Sequence, residues 1–164
     1  MIQKEFITKE EQTELITWVK KCRPSLNPNL NGAHRFFNQL ENIKKNKLTN
    51  TIKKRIIDKF NLSSFENEKK IGDILSVVED GGFIERHNDK IPGNIIHHRY
   101  NLLVQMPESG GRNIYNGEVL DVKERCLIAY RPDLHFHCCE KVIGKKPRIN
   151  LSFGFQKKYY DTHR

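Results

Sequence analysis

Apolar positions near the start of the chain repeat with the period of an α-helix. Leu15, Trp18, Val19 and Cys22 recur on one helical face. Just before them, the segment Thr8-Lys9-Glu10-Glu11 is a capping box. In such a box the threonine side chain accepts a hydrogen bond from the backbone of the glutamate, and the glutamate side chain reaches back to the threonine backbone. The pattern predicts a helix over residues 9–22.

A second helical pattern follows after a break. Pro24 and the polar run at 27–32 interrupt the chain, and then Leu48, Ile52, Ile56 and Phe60 are spaced four apart, with lysines on the other side. This spacing predicts an amphipathic helix over residues 47–60. A short helix over residues 34–43 would bring the number of N-terminal helices from two to three.

From residue 71 the pattern changes to short apolar runs separated by turn residues, which is typical of an antiparallel sheet or barrel. The predicted strands are Ile74–Val78, Phe83–Arg86, Tyr100–Met106, Asn113–Tyr115, Cys126–Tyr130, Leu134–Cys139 and Arg148–Gln156. We therefore expect an α+β fold: a double-sheet jelly roll of about seven or eight strands, braced by the N-terminal helices. The whole chain, residues 1–164, is expected to be one domain, with a helical support region at 1–70, the β core at 71–156 and a basic tail at 157–164.

Composition agrees with a folded protein. The 164 residues are 37% hydrophobic and include nine Phe and five Tyr, which excludes a mainly disordered chain. No run approaches the roughly 18 apolar residues of a membrane span, and the N-terminus lacks the apolar core of a secretory signal. We therefore expect a cytoplasmic protein with no membrane partner. The four cysteines lack the spacing of a disulfide framework or of a zinc site, and we expect reduced thiols.

Charge is distributed unevenly along the chain. Of the net +9, residues 41–60 carry +5 and residues 141–164 carry +6, whereas residues 61–140 carry −4. Clustered Lys and Arg attract polyanions without selecting one, so nucleic acid or an acidic protein are both candidate partners. A solvated basic surface is the alternative interpretation.

The tripeptide His87-Asn88-Asp89 is a candidate metal site. In a strand, residues two apart face the same side, so His87 and Asp89 could bind one ion. A second histidine cluster, with His135 and His137, lies in another predicted strand, and either histidine could complete a triad of two histidines and one carboxylate. That triad suits non-haem Fe(II) because it leaves coordination positions open.

Arg148 opens a predicted strand whose apolar residues are Ile149, Leu151 and Phe153. A guanidinium inside such a strand needs an anionic partner, and a carboxylate matches it best. Exposure of Arg148 on an edge strand is the alternative.

Over about residues 75–156 the chain resembles the Fe(II)- and 2-oxoglutarate-dependent dioxygenases, nearest to their prolyl 4-hydroxylase-like branch. The residues that carry the resemblance are Gly81-Gly82, Glu85, His87-Asn88-Asp89, Arg99-Tyr100, Gly110-Gly111, Tyr115, His137-Cys138-Cys139, Val142, Gly144 and Arg148, in that order. The resemblance implies a double-stranded β-helix of the cupin type.

The resemblance also implies roles for individual residues. His87, Asp89 and His137 would bind Fe(II), and Arg148 would bind the distal carboxylate of 2-oxoglutarate, assisted by Asn150 on the same strand face. The implied cofactors are Fe(II), 2-oxoglutarate and O2, with ascorbate as a further candidate. We expect no catalytic residue beyond the metal site.

Two positions depart from the family pattern. Relatives often place a tyrosine nine residues before the first metal histidine, where this chain has Val78, so another residue must supply that contact. Prolyl hydroxylases usually carry lysine at the position of Arg148. Asp89 is intact, whereas related halogenases replace this carboxylate, so hydroxylation or demethylation is favoured.

Several substrate classes follow from the resemblance. A peptide or protein side chain is favoured, with proline as the leading target. The strand Arg148–Phe153 also resembles the RxNLTF strand of nucleic-acid demethylases, although Gly154 stands where that motif ends in a second arginine. A free amino acid or another small molecule is a further alternative, and a non-enzymatic binding barrel is disfavoured.

We expect the neighbouring His97 and His98 to form a surface pair beside the active site.

Overall fold

The computed structural model describes residues 1–29, 31–90 and 92–158, so most of the predicted basic tail, residues 159–164, lies outside the described residues. Two α-helices, α1 (Lys9–Cys22) and α2 (Lys47–Lys59), confirm the predicted pair. The capping box at the start of α1 is present, with both reciprocal hydrogen bonds between Thr8 and Glu11. Short 3-10 helices cover Arg23–Ser25 and Leu40–Asn42.

The rest of the described chain is mostly β-strand. In chain order the strands are β1 (Ile2–Gln3), β2 (Asn27–Pro28), β3 (Arg35–Gln39), β4 (Glu66–Asn67), β5 (Ile74–Val78), β6 (Ile84–His87), β7 (Ile95–Gln105), β8 (Ser109–Gly110), β9 (Asn113–Tyr115), β10 (Glu118–Val119), β11 (Leu127–Tyr130), β12 (His137–Cys139), β13 (Val142–Ile143) and β14 (Arg148–Lys158). All pairs are antiparallel.

These strands form two main sheets. The major sheet has the order β1-β11-β7-β14-β5-β3-β2, with β4 also paired to β14. The minor sheet has the order β10-β9-β12-β6, and β8 and β13 pair separately. The predicted α+β jelly roll with N-terminal helices is therefore confirmed.

The two faces of the major sheet have different partners, because successive side chains on a strand point to opposite sides. One face packs against α1 and α2 through a continuous apolar core. Leu75 on β5, Leu102 on β7 and Leu151 on β14 contribute to this core and are fully buried. The opposite face carries the polar residues between them and turns toward the minor sheet.

The prediction of a helix over residues 34–43 is wrong. The segment forms β3 and a 3-10 turn, and β3 pairs with β5 in the register Arg35↔Val78 and Phe37↔Ser76. The segment 1–70 is therefore not purely helical, since it also contributes β1 to β4 to the major sheet. This correction matters for function, because β3 carries side chains to the interior of the fold.

Most predicted strands are confirmed with shifted ends. β5 and β9 have the predicted bounds. β7 begins at Ile95, five residues before the predicted start, and the expectation that His97 belongs to a surface pair is wrong because His97 is fully buried. The strand predicted over 134–139 begins only at His137. Within the described ranges, no helix is both long and apolar enough to cross a membrane.

Candidate metal centre

The two histidines of the centre face each other across the minor sheet. β6 and β12 are antiparallel neighbours, and their register pairs His87 directly with His137. Directly paired residues point to the same side of a sheet. The two imidazole centroids are accordingly 4.3 Å apart.

Asp89 completes the group from just beyond the end of β6. A hydrogen bond of 2.9 Å from its backbone N–H to the carbonyl of Pro132 fixes the chain there. Asp89 Oδ1 lies 3.6 Å from His87 Nε2, and Asp89 Oδ2 lies 3.9 Å from His137 Nε2. One ligand atom from each of the three residues lies within 4.8 Å of the others, close enough to hold one metal ion.

Hydrogen bonding presents both rings in the form that a metal ion needs. His87 Nδ1 is 2.7 Å from the carbonyl of Glu85, and His137 Nδ1 is 3.1 Å from the carbonyl of His135. A carbonyl can only accept, so each Nδ1 carries the proton and each Nε2 keeps its lone pair for a metal. Burial, reinforced by the neighbouring His87, lowers the pKa of His137 to about 4, which keeps that ring neutral near pH 7.

The structure separates the two histidines that the sequence left open. His137 belongs to the cluster, whereas His135 lies before β12, in a turn, with its Nδ1 2.9 Å from Asn116 Nδ2. Its backbone carbonyl nevertheless contacts the ring of His137. The backbone carbonyl of His135 thus helps to orient the ring of His137, whereas the side chain of His135 is not part of the cluster.

A cavity of about 460 Å³ lies between the two main sheets, and the histidine–aspartate cluster forms part of its wall. The minor sheet contributes His87, Asn113 and His137, and the major sheet contributes the polar face of β3, β5, β7 and β14. These major-sheet residues are Arg35, Phe37, Gln39, Ile74, Ser76, Arg99, Asn101, Arg148, Asn150 and Ser152.

Arg148 is buried in this cavity, with 2% of its surface exposed, so the alternative of an exposed edge arginine is wrong. Its Nε donates to the carbonyl of Gly111 at 2.9 Å, and its Nη2 donates to Asn113 Oδ1 at 2.7 Å. Among the described residues it forms no ion pair. A buried cation without a counter-ion is costly, and an anionic ligand in the cavity would relieve that cost.

Asn150 lies two residues along β14 on the same face, and its Oδ1 is buried without a hydrogen-bond partner among the described residues. Because an amide can exchange the positions of its oxygen and NH2 group by rotation, Asn150 can offer a donor or an acceptor to a ligand. Both residues predicted to bind 2-oxoglutarate therefore reach the cavity.

A second buried arginine on the same face is already neutralised. Arg99 Nη2 lies 2.7 Å from Glu68 Oε2, and both side chains are almost fully buried. The Glu68 carboxylate also accepts from the backbone N–H groups of Ile71 and Gly72. Arg99 therefore has a structural partner, which distinguishes it from Arg148.

Two tyrosines stack around the distal histidine. Tyr130 lies edge-on to His137, with ring centroids 5.2 Å apart, and Tyr115 stacks at 6.0 Å. Tyr130 accepts a hydrogen bond from Asn101 at 3.2 Å, and burial raises the pKa of Tyr130 to about 12, so its hydroxyl keeps its proton. Sequence reasoning missed Tyr130 and Asn101, because nothing short of the strand register places them beside the histidines.

Arg35 is the other residue that sequence reasoning missed. It lies on β3, in the segment where a third N-terminal helix was the alternative, and its side chain lines the cavity. Val78, where relatives carry a tyrosine, pairs with Arg35 on one side and with Arg148 on the other. The adjacent apolar residues Phe36 and Phe37 leave residues 35–39 without the alternation that would have indicated a strand.

Comparisons with known proteins agree with this architecture. A prolyl-4-hydroxylase from Pseudomonas putida matches with a TM-score of 0.69 at 14% identity, covering 98% of this chain and 92% of that chain. HygX from Streptomyces hygroscopicus, with nickel, 2-oxoglutarate and hygromycin B bound, matches with a TM-score of 0.74 at 7% identity, covering 100% and 85%. A prolyl hydroxylase from Trichoplax adhaerens, in complex with a hypoxia inducible factor peptide fragment, matches with a TM-score of 0.70 at 14% identity, covering 93% and 82%.

No protein-family model and no curated protein sequence matches the chain. At these identities the structural matches show the fold, which this chain shares with prolyl hydroxylases and with HygX.

Proposed function

We propose that this chain, which has the fold of the prolyl hydroxylases, is an Fe(II)- and 2-oxoglutarate-dependent dioxygenase that hydroxylates a C–H bond. One observation carries the proposal: the triad of His87, Asp89 and His137 faces the same cavity as the buried Arg148, which forms no ion pair within the described part of the chain. A metal ion and a dicarboxylate are the two ligands that these groups would complement.

The residues fit these ligands in kind and in protonation state. His87, Asp89 and His137 would hold Fe(II) on one side, and Arg148, assisted by Asn150, would bind the distal carboxylate of 2-oxoglutarate. When bound, these cofactors supply the oxidation: one atom of O2 enters the substrate as a hydroxyl group, and the other enters succinate as 2-oxoglutarate loses CO2. Tyr115 and Tyr130 form an aromatic wall around His137 that would limit water near the reacting carbon.

A peptide or protein side chain remains the leading substrate class. The prolyl hydroxylase from Trichoplax adhaerens was solved with a peptide bound, and its fold extends over 93% of this chain. The identity of the residue that would be hydroxylated is open, because prolyl hydroxylases usually carry lysine at the position of Arg148.

Two features disfavour the nucleic-acid alternative. A Cβ atom at Gly154 would lie 2.8 Å from Glu68 and 3.3 Å from Arg99, so the buried ion pair leaves no room for the second arginine of the demethylase motif. The basic helix α2 packs on the face of the major sheet opposite the cavity. A polyanion bound to α2 would therefore lie on the far side of the sheet from the metal triad.

Metal binding gives the first test of the triad. Isothermal titration of the purified protein with Fe(II) under anaerobic conditions is expected to show one site. His87→Ala, Asp89→Ala and His137→Ala should each weaken it at least 100-fold, because each removes one of three ligands. His135→Ala is the matched control and should keep the site within about threefold.

Turnover gives the second test. With Fe(II), 2-oxoglutarate and O2, the wild type is expected to release succinate, and the three ligand variants should release none above background. Activity that survives in His137→Ala and disappears in His135→Ala would show that His135 is the distal ligand. Succinate release that is equal in all variants would contradict the proposed function.

A further inference from the structure

Arg35 occupies a cavity position that the metal triad and the 2-oxoglutarate residues leave unassigned. The register places Arg35, Val78 and Arg148 side by side on three neighbouring strands, β3, β5 and β14. Paired residues share a face, so both guanidinium groups enter the cavity from the major sheet, opposite the histidines of the minor sheet.

The guanidinium of Arg35 has few partners, and its Cζ lies 5.8 Å from the centroid of the Phe37 ring. Among the described residues it forms one hydrogen bond, from Nε to Ser76 Oγ at 3.3 Å, and no ion pair. Six other described arginines each pair with a carboxylate: Arg23, Arg55, Arg99, Arg112, Arg125 and Arg131. Of the three arginines that line the cavity, only Arg99 has such a pair with a carboxylate in the ranges that the structure describes.

The environment penalises the charge of Arg35. Burial, together with the nearby positive charge of Arg148, lowers the pKa of Arg35 to about 10, and the guanidinium still remains charged near neutral pH. Two cations in one cavity, neither of them in an ion pair among the described residues, destabilise the ligand-free protein. Such an arrangement is common where a ligand supplies the missing negative charge.

The charges of the filled cavity indicate what that ligand is. Lys70 also lines the cavity, but it is exposed and its Nζ donates to the carbonyl of Lys90. Of the other charged groups, Arg99 and Glu68 cancel each other. Arg35, Arg148 and a divalent metal then bring four positive charges, and Asp89 brings one negative charge. The dianion 2-oxoglutarate leaves one positive charge uncompensated. A single further carboxylate would neutralise these groups, and Arg35 is the cation among them that is not already assigned to 2-oxoglutarate.

We propose that Arg35 binds a carboxylate group of the substrate, and that the substrate is a free or N-acylated amino acid whose own carboxylate lies close to the C–H bond that reacts. This inference rests on the proposed function. An N-acylated amino acid corresponds to the C-terminal residue of a peptide, which belongs to the leading substrate class, whereas a free amino acid is the small-molecule alternative. The cavity volume of about 460 Å³ lies within the roughly 300–1,000 Å³ of small-molecule sites, so 2-oxoglutarate and a small acid can share it.

The test compares acids with their amides in the assembled protein without turnover. Wild-type protein with Fe(II) and saturating 2-oxoglutarate, kept anaerobic, is titrated with each amino acid, its N-acetyl derivative and the corresponding carboxamides. Binding is followed by the change in the visible charge-transfer absorption of the 2-oxoglutarate complex. We expect at least one acid to bind at least 10-fold more tightly than its amide. Tight binding of the N-acetyl acid indicates a peptide C-terminus, and binding of the free acid alone indicates a free amino acid.

Two variants test whether Arg35 causes the preference for the acid over its amide. Arg35→Met should reduce the ratio of acid to amide affinity to about threefold or less, and Arg35→Lys should retain most of it. Both should bind 2-oxoglutarate within about threefold of wild type. In the ligand-free protein, Arg35→Met should not lower the melting temperature, because it removes a half-buried charge that forms no ion pair among the described residues.

Three results would overturn the inference: no acid preferred over its amide by the wild type, a preference unchanged in Arg35→Met, or a loss of 2-oxoglutarate affinity in Arg35→Met as large as in Arg148→Met. The last result would assign Arg35 to the cosubstrate. Absence of the 2-oxoglutarate absorption itself would contradict the proposed function, whereas a normal absorption with no acid preference would contradict this inference alone.

Discussion

The two faces of the major sheet are built from the same strands but differ in the side chains that they bury. The face toward α1 and α2 is apolar and closed, and residues such as Leu102 and Leu151 are fully buried there. The face toward the minor sheet buries arginines, asparagines and serines around a cavity. One face stabilises the fold through apolar burial. The other face holds polar groups, some of which lack a hydrogen-bond or ion-pair partner among the described residues.

The two buried arginines on the cavity face differ in their partners. Arg99 has Glu68 as a close ion-pair partner, whereas Arg148 has only neutral acceptors. Since a buried charge must be compensated by something, Arg99 is compensated within the fold and Arg148 depends on a ligand. The comparison teaches that burial alone does not identify a binding residue; a buried charge without a partner does.

The largest stability effect should come from breaking the compensated pair. Arg99→Met leaves the Glu68 carboxylate buried without its cation, and we expect the free energy of unfolding to fall by about 3–5 kcal/mol. Urea denaturation followed by circular dichroism measures it. The double variant with Glu68→Gln should recover part of the loss, and a double variant as unstable as the single one would contradict the ion-pair account.

On the helix-facing side, Leu102→Ala should cost about 3 kcal/mol, because it opens a cavity in a core where the side chain is fully buried. Its neighbour Asn101 faces the other way, where Asn101→Ala removes one hydrogen bond to Tyr130 and should cost about 1 kcal/mol. Equal losses in the same denaturation experiment would show that the two faces do not differ as described.

Removing the uncompensated arginine should affect stability least. Arg148→Met loses two hydrogen bonds but also removes a buried charge without a counter-ion, and these effects oppose each other. We expect a change of about 1 kcal/mol or less in the ligand-free protein. A loss as large as that of Arg99→Met would mean that Arg148 has a structural role like that of Arg99.

The cavity face should also make the stability of the fold depend on pH, through His97. His97 is fully buried on the cavity face, and burial, with the charge of Arg99, lowers its pKa below the ordinary 6.5. The unfolded chain then takes up this proton before the folded chain does, so the contribution of His97 is present above pH 6.5 and is lost as the pH falls below it. Denaturation at pH 7.5 and pH 5.5 should show the loss in the wild type, and His97→Leu should reduce it.

Local patterns were enough to predict much of this fold. The capping box and apolar spacing gave α1, and the alternation of short apolar runs with turns gave the jelly roll. His87 and Asp89 were identified from a short motif, and His137 was implied by the family resemblance. The structure brings the three together because the β6–β12 register pairs the two histidines. Choosing between His135 and His137 required the point at which β12 begins.

Two features of the fold depend on strand pairing between residues far apart in the chain, and local sequence patterns did not predict them. The segment Arg35–Gln39 has apolar side chains toward both faces, Phe36 against the helices and Phe37 toward the cavity, so it shows no strand alternation. His97 was expected at the surface because a polar His97-His98-Arg99 run precedes the apolar part of β7. Its burial depends on pairing with β14 far along the chain, where His97 faces Gln156.

The central claim is that Arg148 and the metal triad form one cofactor site, and its most direct test is the absorption of the assembled complex. Anaerobic addition of Fe(II) and 2-oxoglutarate to the wild type should produce a visible charge-transfer band. That band should be absent in His87→Ala, and in Arg148→Met it should need at least 30 times more 2-oxoglutarate. The Arg35→Lys variant should behave as the wild type does. A folded wild type that binds Fe(II) but shows no band, or a band with equal 2-oxoglutarate affinity in Arg148→Met, would contradict the account.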